Sequence, residues 1–234
     1  MITGIIGGAG VAATNLLNDL VELEYTCRKK AVRDCEHPEI IIWQATSVPS
    51  RSMYLEGRGP SFIEQYINIA KKLHDCGCER IFMNCNTAHY AFDEIKEKSG
   101  APLINLVEET VKKASHSIPS KIGLLASDGC LKGKVYERYF KKYMPHVEIL
   151  YPDESDQKKV TRGICNVKNQ HRFDDTQAPD SPQRLFGEVC SNLILRGADR
   201  IILGCTDIRV GFNNEDPIFT DSLYVMRDLI VEGG

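Results

Sequence analysis

The sequence has no long apolar run and no marked excess of charge of either sign. No apolar stretch reaches the roughly 20 residues that a membrane-spanning helix needs. Residues 1–5 lack the basic region of a secretory signal peptide. Lysine and arginine total 29 against 32 aspartates and glutamates in 234 residues, and no basic patch is evident. We therefore expect a cytoplasmic protein that has neither a membrane nor nucleic acid as a partner.

Cysteine, by contrast, is abundant, with nine residues. The number is odd, there is no secretory signal, and the chain is long enough to bury its own core, so reduced thiols are expected rather than a disulfide framework. No metal site is predicted from His74, Cys76 and Cys78, because the cysteine ligands of structural zinc are usually separated by two to four residues. Most of the thiols should be small buried hydrophobic residues, so the question is which of them carry out chemistry.

Short apolar runs alternate with amphipathic stretches along the whole chain. Regular alternation of this kind predicts an α/β protein with parallel sheets and right-handed crossovers. The strands are expected at residues 2–7, 40–45, 81–85 and 103–107, and at 122–126, 147–151, 201–205 and 218–221. We predict an N-terminal lobe at residues 1–118 and a C-terminal lobe at 119–234, with a C-terminal helix able to cross over to the first lobe. The polar stretch at residues 169–180 is predicted to be a loop.

One internal comparison suggests how the lobes are related. Residues 77–85 align without a gap on residues 197–205, with glycine, an acidic residue, arginine, isoleucine and a final cysteine in register. Either this is a common α/β sequence pattern, or one lobe is a duplicate of the other. In the second case Cys85 and Cys205 end equivalent strands, at the edge where open α/β sheets bind ligands. Two facing lobes would then present two thiols to one cleft.

The chemistry of such a pair is specific. Each cysteine stands where a buried strand gives way to a polar turn and a helix start, and a helix N-terminus favours the thiolate form. Asn86, Thr87 and Thr206 follow closely and supply hydrogen-bond donors. Two thiols on opposite sides of one carbon can remove a proton from one face and return one to the other. The pattern therefore indicates racemisation or epimerisation by two bases.

Several segments carry a family resemblance. Residues 84–89, Asn-Cys-Asn-Thr-Ala-His, resemble the Pro-Cys-Asn-Thr-Ala-His segment of the aspartate/glutamate racemase superfamily, and residues 204–207, Gly-Cys-Thr-Asp, resemble its Gly-Cys-Thr-Glu segment. Residues 7–14, 48–51 and 123–127 are also similar to segments of the aspartate racemases. The resemblance implies a cofactor-independent amino-acid racemase that forms a homodimer. It also implies two flavodoxin-like lobes with four-stranded parallel sheets, related by a pseudo-twofold axis, with the active site in the cleft between them.

The resemblance also implies roles for individual residues. Cys85 and Cys205 become the catalytic acid and base. Arg51 would read a side-chain carboxylate, for which its planar two-donor fork is suited. The remaining residues implied to bind the small amino-acid substrate are Asn86, Thr87, Ser127, Thr206 and Lys168.

Supporting roles are implied for Gly8, Thr14 and Asp207. Asp207 replaces the usual glutamate, and it either tunes Cys205 by accepting a hydrogen bond or only caps the next helix. Lys168 falls one position short of the family's lysine, so its reach to the substrate is an open question. Cys165 replaces a tyrosine and is expected to pack inside a helix interface.

Other functions remain open at this point. A glutamate racemase or a racemase of broader specificity is the nearest alternative to an aspartate racemase. A maleate-isomerase-like enzyme would use the first cysteine for covalent addition, and a non-catalytic amino-acid-binding module would need neither thiol. The pattern Gly8-x-Gly10-x-x-Ala13 also fits a dinucleotide fingerprint, but residues 42–45 lack the acidic residue that such a site needs.

Overall fold

The chain folds into two α/β lobes, each built on a four-stranded parallel sheet, in the computed structural model, which describes residues 1–233. The first sheet has the order β2-β1-β3-β4 and the second the order β6-β5-β7-β8. The strands are β1 (Ile2–Gly7), β2 (Glu39–Gln44), β3 (Cys78–Met83), β4 (Leu103–Ile104), β5 (Lys121–Leu125), β6 (Glu148–Leu150), β7 (Arg200–Leu203) and β8 (Phe219–Asp221). The predicted fold class is confirmed.

Helices cover the faces of both sheets. They are α1 (Val11–Cys27), α2 (Arg51–Leu55), α3 (Ile63–Asp75), α4 (Phe92–Ser99), α5 (Leu106–Ser115), α6 (Asp128–Lys132), α7 (Glu137–Tyr143), α8 (Glu154–Asn166), α9 (Pro182–Leu195), α10 (Thr206–Gly211) and α11 (Ser222–Glu232). Short 3₁₀ segments lie at Asp34–Glu36, Asn86–Ala91 and Gln170–Phe173. The last of these lies inside the stretch that was predicted to be a loop.

Local side-chain chemistry corrects one predicted boundary. The run at residues 103–107 was expected to be a strand, but β4 ends at Ile104. The side chain of Asn105 accepts a hydrogen bond from the backbone N–H of Glu108 at 2.9 Å and so starts α5 at Leu106. Since an N-cap of this kind satisfies a helix N–H that would otherwise lack a partner, it outweighs the β preference of the short apolar run.

The repeated segment occupies equivalent places in the two lobes. Gly77 and Gly197 both have left-handed backbone, with φ of 87° and 96°. The carboxylate of Glu79 accepts from the backbone N–H of Ile2 at 3.2 Å, and that of Asp199 accepts from the N–H of Ser120 at 2.8 Å. Each acidic residue thus holds the entry to the first strand of its own lobe. With the identical strand order, this favours the duplicated-lobe interpretation.

One helix from each half of the chain packs against the sheet of the other lobe. Helix α5 packs through Val107 and Val111 against the second sheet, whereas α11 packs through Leu223 and Met226 against the first. Arg80, on β3, donates hydrogen bonds to the carbonyls of Leu229 and Ile230 at 2.9 and 2.7 Å and so anchors the end of α11. The exchange of helices ties the two lobes together.

Within residues 1–233, the helices are all too short or too polar to cross a membrane.

Candidate active site

The two cysteines that the repeat singled out end equivalent strands. Cys85 follows β3 and occupies the N-cap position of the turn Asn86–Ala91, and Cys205 follows β7 and occupies the N-cap position of α10. Both have extended backbone, with φ of −161° and −146°. Because the strands are parallel, both thiols lie at the carboxyl edges of their sheets.

The two cysteine segments meet across the lobes. The hydroxyl of Thr206 donates to the backbone carbonyl of Asn84 at 3.5 Å, so the residues next to the two thiols are in contact. The charges of the two sulfurs also interact, since Cys85 contributes to the raised pKa of Cys205. The segments that carry the two cysteines are therefore neighbours in the fold.

The surroundings of Cys205 favour its protonated form. Burial raises the pKa of this thiol to about 12, and the neighbouring Asp207 carboxylate raises it further. Lys168 and the backbone N–H of Asp207, which donates to the sulfur, act in the opposite direction without overcoming burial. At neutral pH Cys205 is thus a thiol, able to donate a proton.

Cys85 has a guanidinium group beside it. Arg51 begins α2, donates to the carbonyls of Val48 and Pro49 at 3.3 and 3.0 Å, and lies within hydrogen-bonding reach of the Cys85 thiol. Burial lowers the pKa of Arg51, but Cys85, Tyr66 and Asp207 together raise it above its ordinary value, so the guanidinium stays positive. Arg51 is thus a cation beside Cys85, whereas the carboxylate of Asp207 lies beside Cys205. The two thiols therefore lie in unlike electrostatic surroundings.

Asp207 pairs its buried carboxylate with Lys168, whose side chain is half exposed. Its Oδ2 lies 3.0 Å from Nζ of Lys168, and its side chain is 3% exposed. Burial raises the pKa of this carboxyl, and Lys168 and Arg51 partly offset the rise. Cys205 holds the N-cap position of α10, and the Asp207 carboxylate accepts no backbone hydrogen bond within the described chain. The simple capping role considered from the sequence is therefore wrong.

The glycine-rich loop lies directly against that carboxylate. An added Cβ at Gly10 would stand 1.9 Å from Oδ1 of Asp207. Gly8 has φ of 80°, and an added Cβ there would meet the backbone nitrogen of Ala45 at 2.6 Å. The hydroxyl of Thr14 accepts from the N–H of Gly8 and donates to the carbonyl of Gly10, both at 3.0 Å. Thr14 thus fixes the loop in the position that leaves room for Asp207.

A cavity of about 370 Å³ opens beside this loop. It brings together three of the residues named from the sequence, Gly8, Arg51 and Lys168. It is also lined by Arg172, which sequence reasoning missed, since nothing but its charge distinguishes it within the polar stretch 169–180. A larger cavity of about 560 Å³ lies elsewhere, at the start of β8. Neither Cys85 nor Cys205 lines either of these two cavities.

Hydroxyl groups from both lobes form a cluster at the cleft. Thr87 Oγ1 and Ser127 Oγ lie 2.9 Å apart, and Ser52 Oγ donates to Ser127 Oγ at 3.2 Å. Ser127 also accepts from the N–H of Cys130 at 3.3 Å and so begins α6. The structure brings the predicted pair Thr87 and Ser127 together and adds Ser52, which was not predicted.

Asn86 is engaged at both ends of its side chain. Its amide nitrogen donates to Ser222 Oγ at 2.9 Å, and its Oδ1 accepts from the hydroxyl of Tyr136 at 2.8 Å. Both partners come from the second half of the chain. One amide hydrogen is left over for a ligand, so Asn86 fastens the turn after Cys85 to the second lobe and keeps a single free donor.

His89 supports the same turn from within the core. Its Nδ1 lies 2.9 Å from the carbonyl of Cys85, and its Nε2 accepts from the backbone N–H of Leu106 at 3.1 Å. Burial lowers the pKa of this imidazole to about 4, so it is neutral at physiological pH and donates through Nδ1. His89 therefore holds the backbone of Cys85 and takes no charge there.

Two further cysteines differ in their surroundings. Cys130 is buried, and burial followed by the charges of Cys205 and Cys85 raises its pKa well above the ordinary value. It is a third, neutral thiol close to the site. Cys165, which was expected to pack inside a helix interface, is exposed. That expectation is wrong, because position 165 falls on the solvent side of α8.

Comparisons with known proteins agree with this architecture. The model of the Asp/Glu/hydantoin racemase family matches residues 5–217. The broad specificity amino-acid racemase RacX of Bacillus subtilis is 26% identical over 232 residues, which are 97% of this chain and 96% of RacX. The structure of Picrophilus torridus aspartate racemase superposes with a TM-score of 0.82 at 22% identity and covers 99% of this chain and 93% of that one. An aspartate racemase homologue from Pyrococcus horikoshii superposes at 0.71 and 20% identity, covering 98% and 97%.

Proposed function

Because the chain belongs to the Asp/Glu/hydantoin racemase family, we propose that it is an amino-acid racemase that interconverts L- and D-aspartate, with Cys85 and Cys205 as its two bases. One observation carries this proposal: two thiols at the ends of equivalent strands, in segments that contact each other, have unlike charged neighbours, Arg51 beside Cys85 and Asp207 beside Cys205. A two-base reaction needs one thiolate and one thiol at the start of each turnover.

The reaction follows from that asymmetry. In the proposed reaction the Cys85 thiolate removes the α-proton from the enantiomer whose hydrogen faces it, and the bonding electrons pass into the α-carboxylate. The Cys205 thiol then gives its own proton to the opposite face of the carbon. Cys85 ends as a thiol and Cys205 as a thiolate, so the reverse direction starts from the other cysteine. No cofactor is needed to hold the electrons if donors hold the α-carboxylate, where negative charge builds up.

The donors available for that carboxylate lie on both lobes. The hydroxyl pair of Thr87 and Ser127 and the spare amide hydrogen of Asn86 come from two elements, the turn Asn86–Ala91 and the start of α6. In the described structure the two hydroxyls bond to each other, and an arriving carboxylate would replace that bond with two charge-assisted ones. Thr206, already directed at the Asn84 carbonyl, completes this proposed set.

Aspartate is the first choice of substrate because Arg51, whose guanidinium suits a second carboxylate, lines the cavity beside the glycine-rich loop and also lies next to Cys85. A second candidate is a racemase of broader specificity, which the likeness to RacX over 97% of the chain favours. Replacing Arg51 by leucine separates the two. With an aspartate racemase, kcat/KM for aspartate should fall at least about tenfold while neutral amino acids are little affected. Equal losses for all substrates, or none, would remove Arg51 from substrate selection.

The decisive experiment uses single serine variants of the two cysteines in heavy water. Each variant keeps one competent thiol, which can exchange the α-proton of one enantiomer with solvent while barely inverting it. Cys85→Ser and Cys205→Ser should therefore label opposite enantiomers of aspartate, as followed by proton NMR. If either variant racemises at the wild-type rate, or if both label the same enantiomer, the two-base assignment is wrong.

Two accompanying measurements test the remaining parts of the proposal. Activity should survive hydroxylamine, which attacks carbonyl cofactors, and should be lost on thiol alkylation. Sedimentation should show the homodimer that the family resemblance implies.

A further inference from the structure

The cavity beside the glycine-rich loop is strongly cationic. Arg51, Lys168 and Arg172 line it, and no aspartate or glutamate does so among the described residues. The remaining lining residues are apolar or uncharged: Gly8, Ala9, Gly10, Val11, Ala12, Asn15 and Val167. A site of this composition is suited to a carboxylate, and the three cations are not equally available to bind one.

Lys168 already has a partner. Its Nζ lies 3.0 Å from the buried Asp207 carboxylate, which offsets the positive charge. Arg51 is also partly used, since it donates to the Val48 and Pro49 carbonyls and lies beside the Cys85 sulfur. Any substrate carboxylate must share these two groups with the protein.

Arg172 is the cation whose donors are unused. Within residues 1–233 its guanidinium makes no ion pair and no hydrogen bond, and its nearest aromatic neighbour is Phe173, with the ring centroid 5.0 Å away. A guanidinium offers five N–H donors in a planar fork that matches both oxygens of a carboxylate.

The turn that carries Arg172 is held in place on both sides of it. The Asn169 side chain accepts from the N–H of His171 at 2.9 Å, and the His171 ring lies 2.8 Å from the Asp174 carboxylate. Further along, the Asn166 side chain donates to the carbonyl of Asp180 at 2.8 Å, which ties the loop back to α8. Arg172 is thus presented at the cavity mouth by a braced segment.

We propose that Arg172 is a specificity-determining residue that binds the side-chain carboxylate of an acidic amino acid, together with Arg51, at the mouth of this cavity. The inference rests on the proposed function for the identity of the substrate. It goes further in naming the group that selects an acidic over a neutral side chain. Arg172 takes no part in proton transfer, so its contribution should appear in binding and leave the chemical step alone.

The test compares Arg172→Leu and Arg172→Lys with Arg33→Leu, a change to an exposed arginine between α1 and β2, at the sheet edge opposite the cysteines. Racemisation kinetics with aspartate measure KM and kcat. Titration calorimetry with succinate, a dicarboxylate that cannot be racemised, measures carboxylate binding independently of turnover. Melting temperatures show that all variants fold.

For Arg172→Leu we expect KM for aspartate and Kd for succinate to rise about tenfold with kcat within twofold of wild type, the pattern of a lost binding interaction. Arg172→Lys keeps the positive charge but lacks the planar pair of donors, so its KM and Kd should lie between those of Arg172→Leu and the wild type. Arg33→Leu should match the wild type. Wild-type values of KM and Kd in Arg172→Leu, or a wild type that binds no succinate, overturn the inference. If the wild type racemises no acidic amino acid but Arg172→Leu still weakens succinate binding tenfold, the carboxylate role stands and the racemase proposal falls.

Discussion

Replacing Gly10 by alanine should damage the site through a single methyl group. Gly10 has φ of 170° and ψ of 111°, an extended backbone that any residue adopts, so the change introduces no backbone strain. The new Cβ would lie 1.9 Å from Oδ1 of Asp207 and 2.8 Å from its Cγ. The perturbation is therefore a steric one, directed at the carboxylate that pairs with Lys168.

The size of the effect follows from these distances. Real Cβ atoms essentially never approach another heavy atom within 3.0 Å, so the methyl and the carboxylate must separate by about 1 Å. A displacement of about 1 Å near an active site can lower the rate by up to roughly 100-fold. Asp207 has a short side chain and is held at 3.0 Å by Lys168, so its displacement stretches that ion pair or moves the adjacent Cys205. We expect kcat/KM to fall about 10- to 100-fold and the free energy of unfolding to fall by about 1–3 kcal/mol.

The assay measures racemisation kinetics and melting temperature for Gly10→Ala, with Gly187→Ala as the matched control. An added Cβ at Gly187 meets nothing closer than 3.8 Å, in the middle of α9. A double variant with Asp207→Ala separates steric from indirect effects, because without the carboxylate the methyl should add little further loss. Gly10→Ala activity equal to that of Gly187→Ala, or fully additive losses in the double variant, would refute the reasoning.

Three further predictions concern the groups around the thiols. Tyr136→Phe removes the hydroxyl that donates to Asn86 Oδ1 and leaves a buried acceptor unpaired, so the free energy of unfolding in urea should fall by about 1–3 kcal/mol. Burial lowers the folded-state pKa of His89 to about 4, below its ordinary 6.5. The contribution of neutral His89 to the free energy of unfolding should therefore be fully present above pH 6.5. It should fall by up to about 3 kcal/mol as the pH drops toward 4, as measured by urea unfolding. Asp207→Asn removes a charge that raises the pKa of Cys205, so the ultraviolet absorbance of its thiolate should appear at lower pH than in the wild type.

Controls for these predictions lie on the surface. Tyr90 is exposed and makes no hydrogen bond within the described chain, so Tyr90→Phe should keep the wild-type stability. His89→Gln should flatten the acid loss of stability, whereas the same change at the exposed His146 should not. The first prediction is contradicted if Tyr136→Phe is as stable as Tyr90→Phe. The second is contradicted if His89→Gln loses as much stability in acid as the wild type. The third is contradicted if the thiolate absorbance of Asp207→Asn appears at the wild-type pH.

The order of the elements and the places of the two thiols depend on patterns only a few residues long. Near-continuous apolar runs locate the buried strands, and the polar residues that follow two of them locate Cys85 and Cys205 at strand ends. The helices α2 and α6 were not visible in this way, because five residues are too few for a 3.6-residue period to register, and of α10 only the start after Cys205 was predicted. Their starts depend on single capping residues, such as Ser50 and Ser127.

Family motifs could indicate which side chains face the cleft, because each motif is a local segment. Only the tertiary structure decided which of those side chains meet. Lys168 forms an ion pair with Asp207, and Arg172 lines the same cavity as Arg51. Asn86 forms hydrogen bonds with Tyr136 and Ser222. These partners are far apart in sequence and come from different elements, so no spacing rule connects them. Their distances are set by how closely packed lobes fit together, and that fit is a property of the whole folded chain.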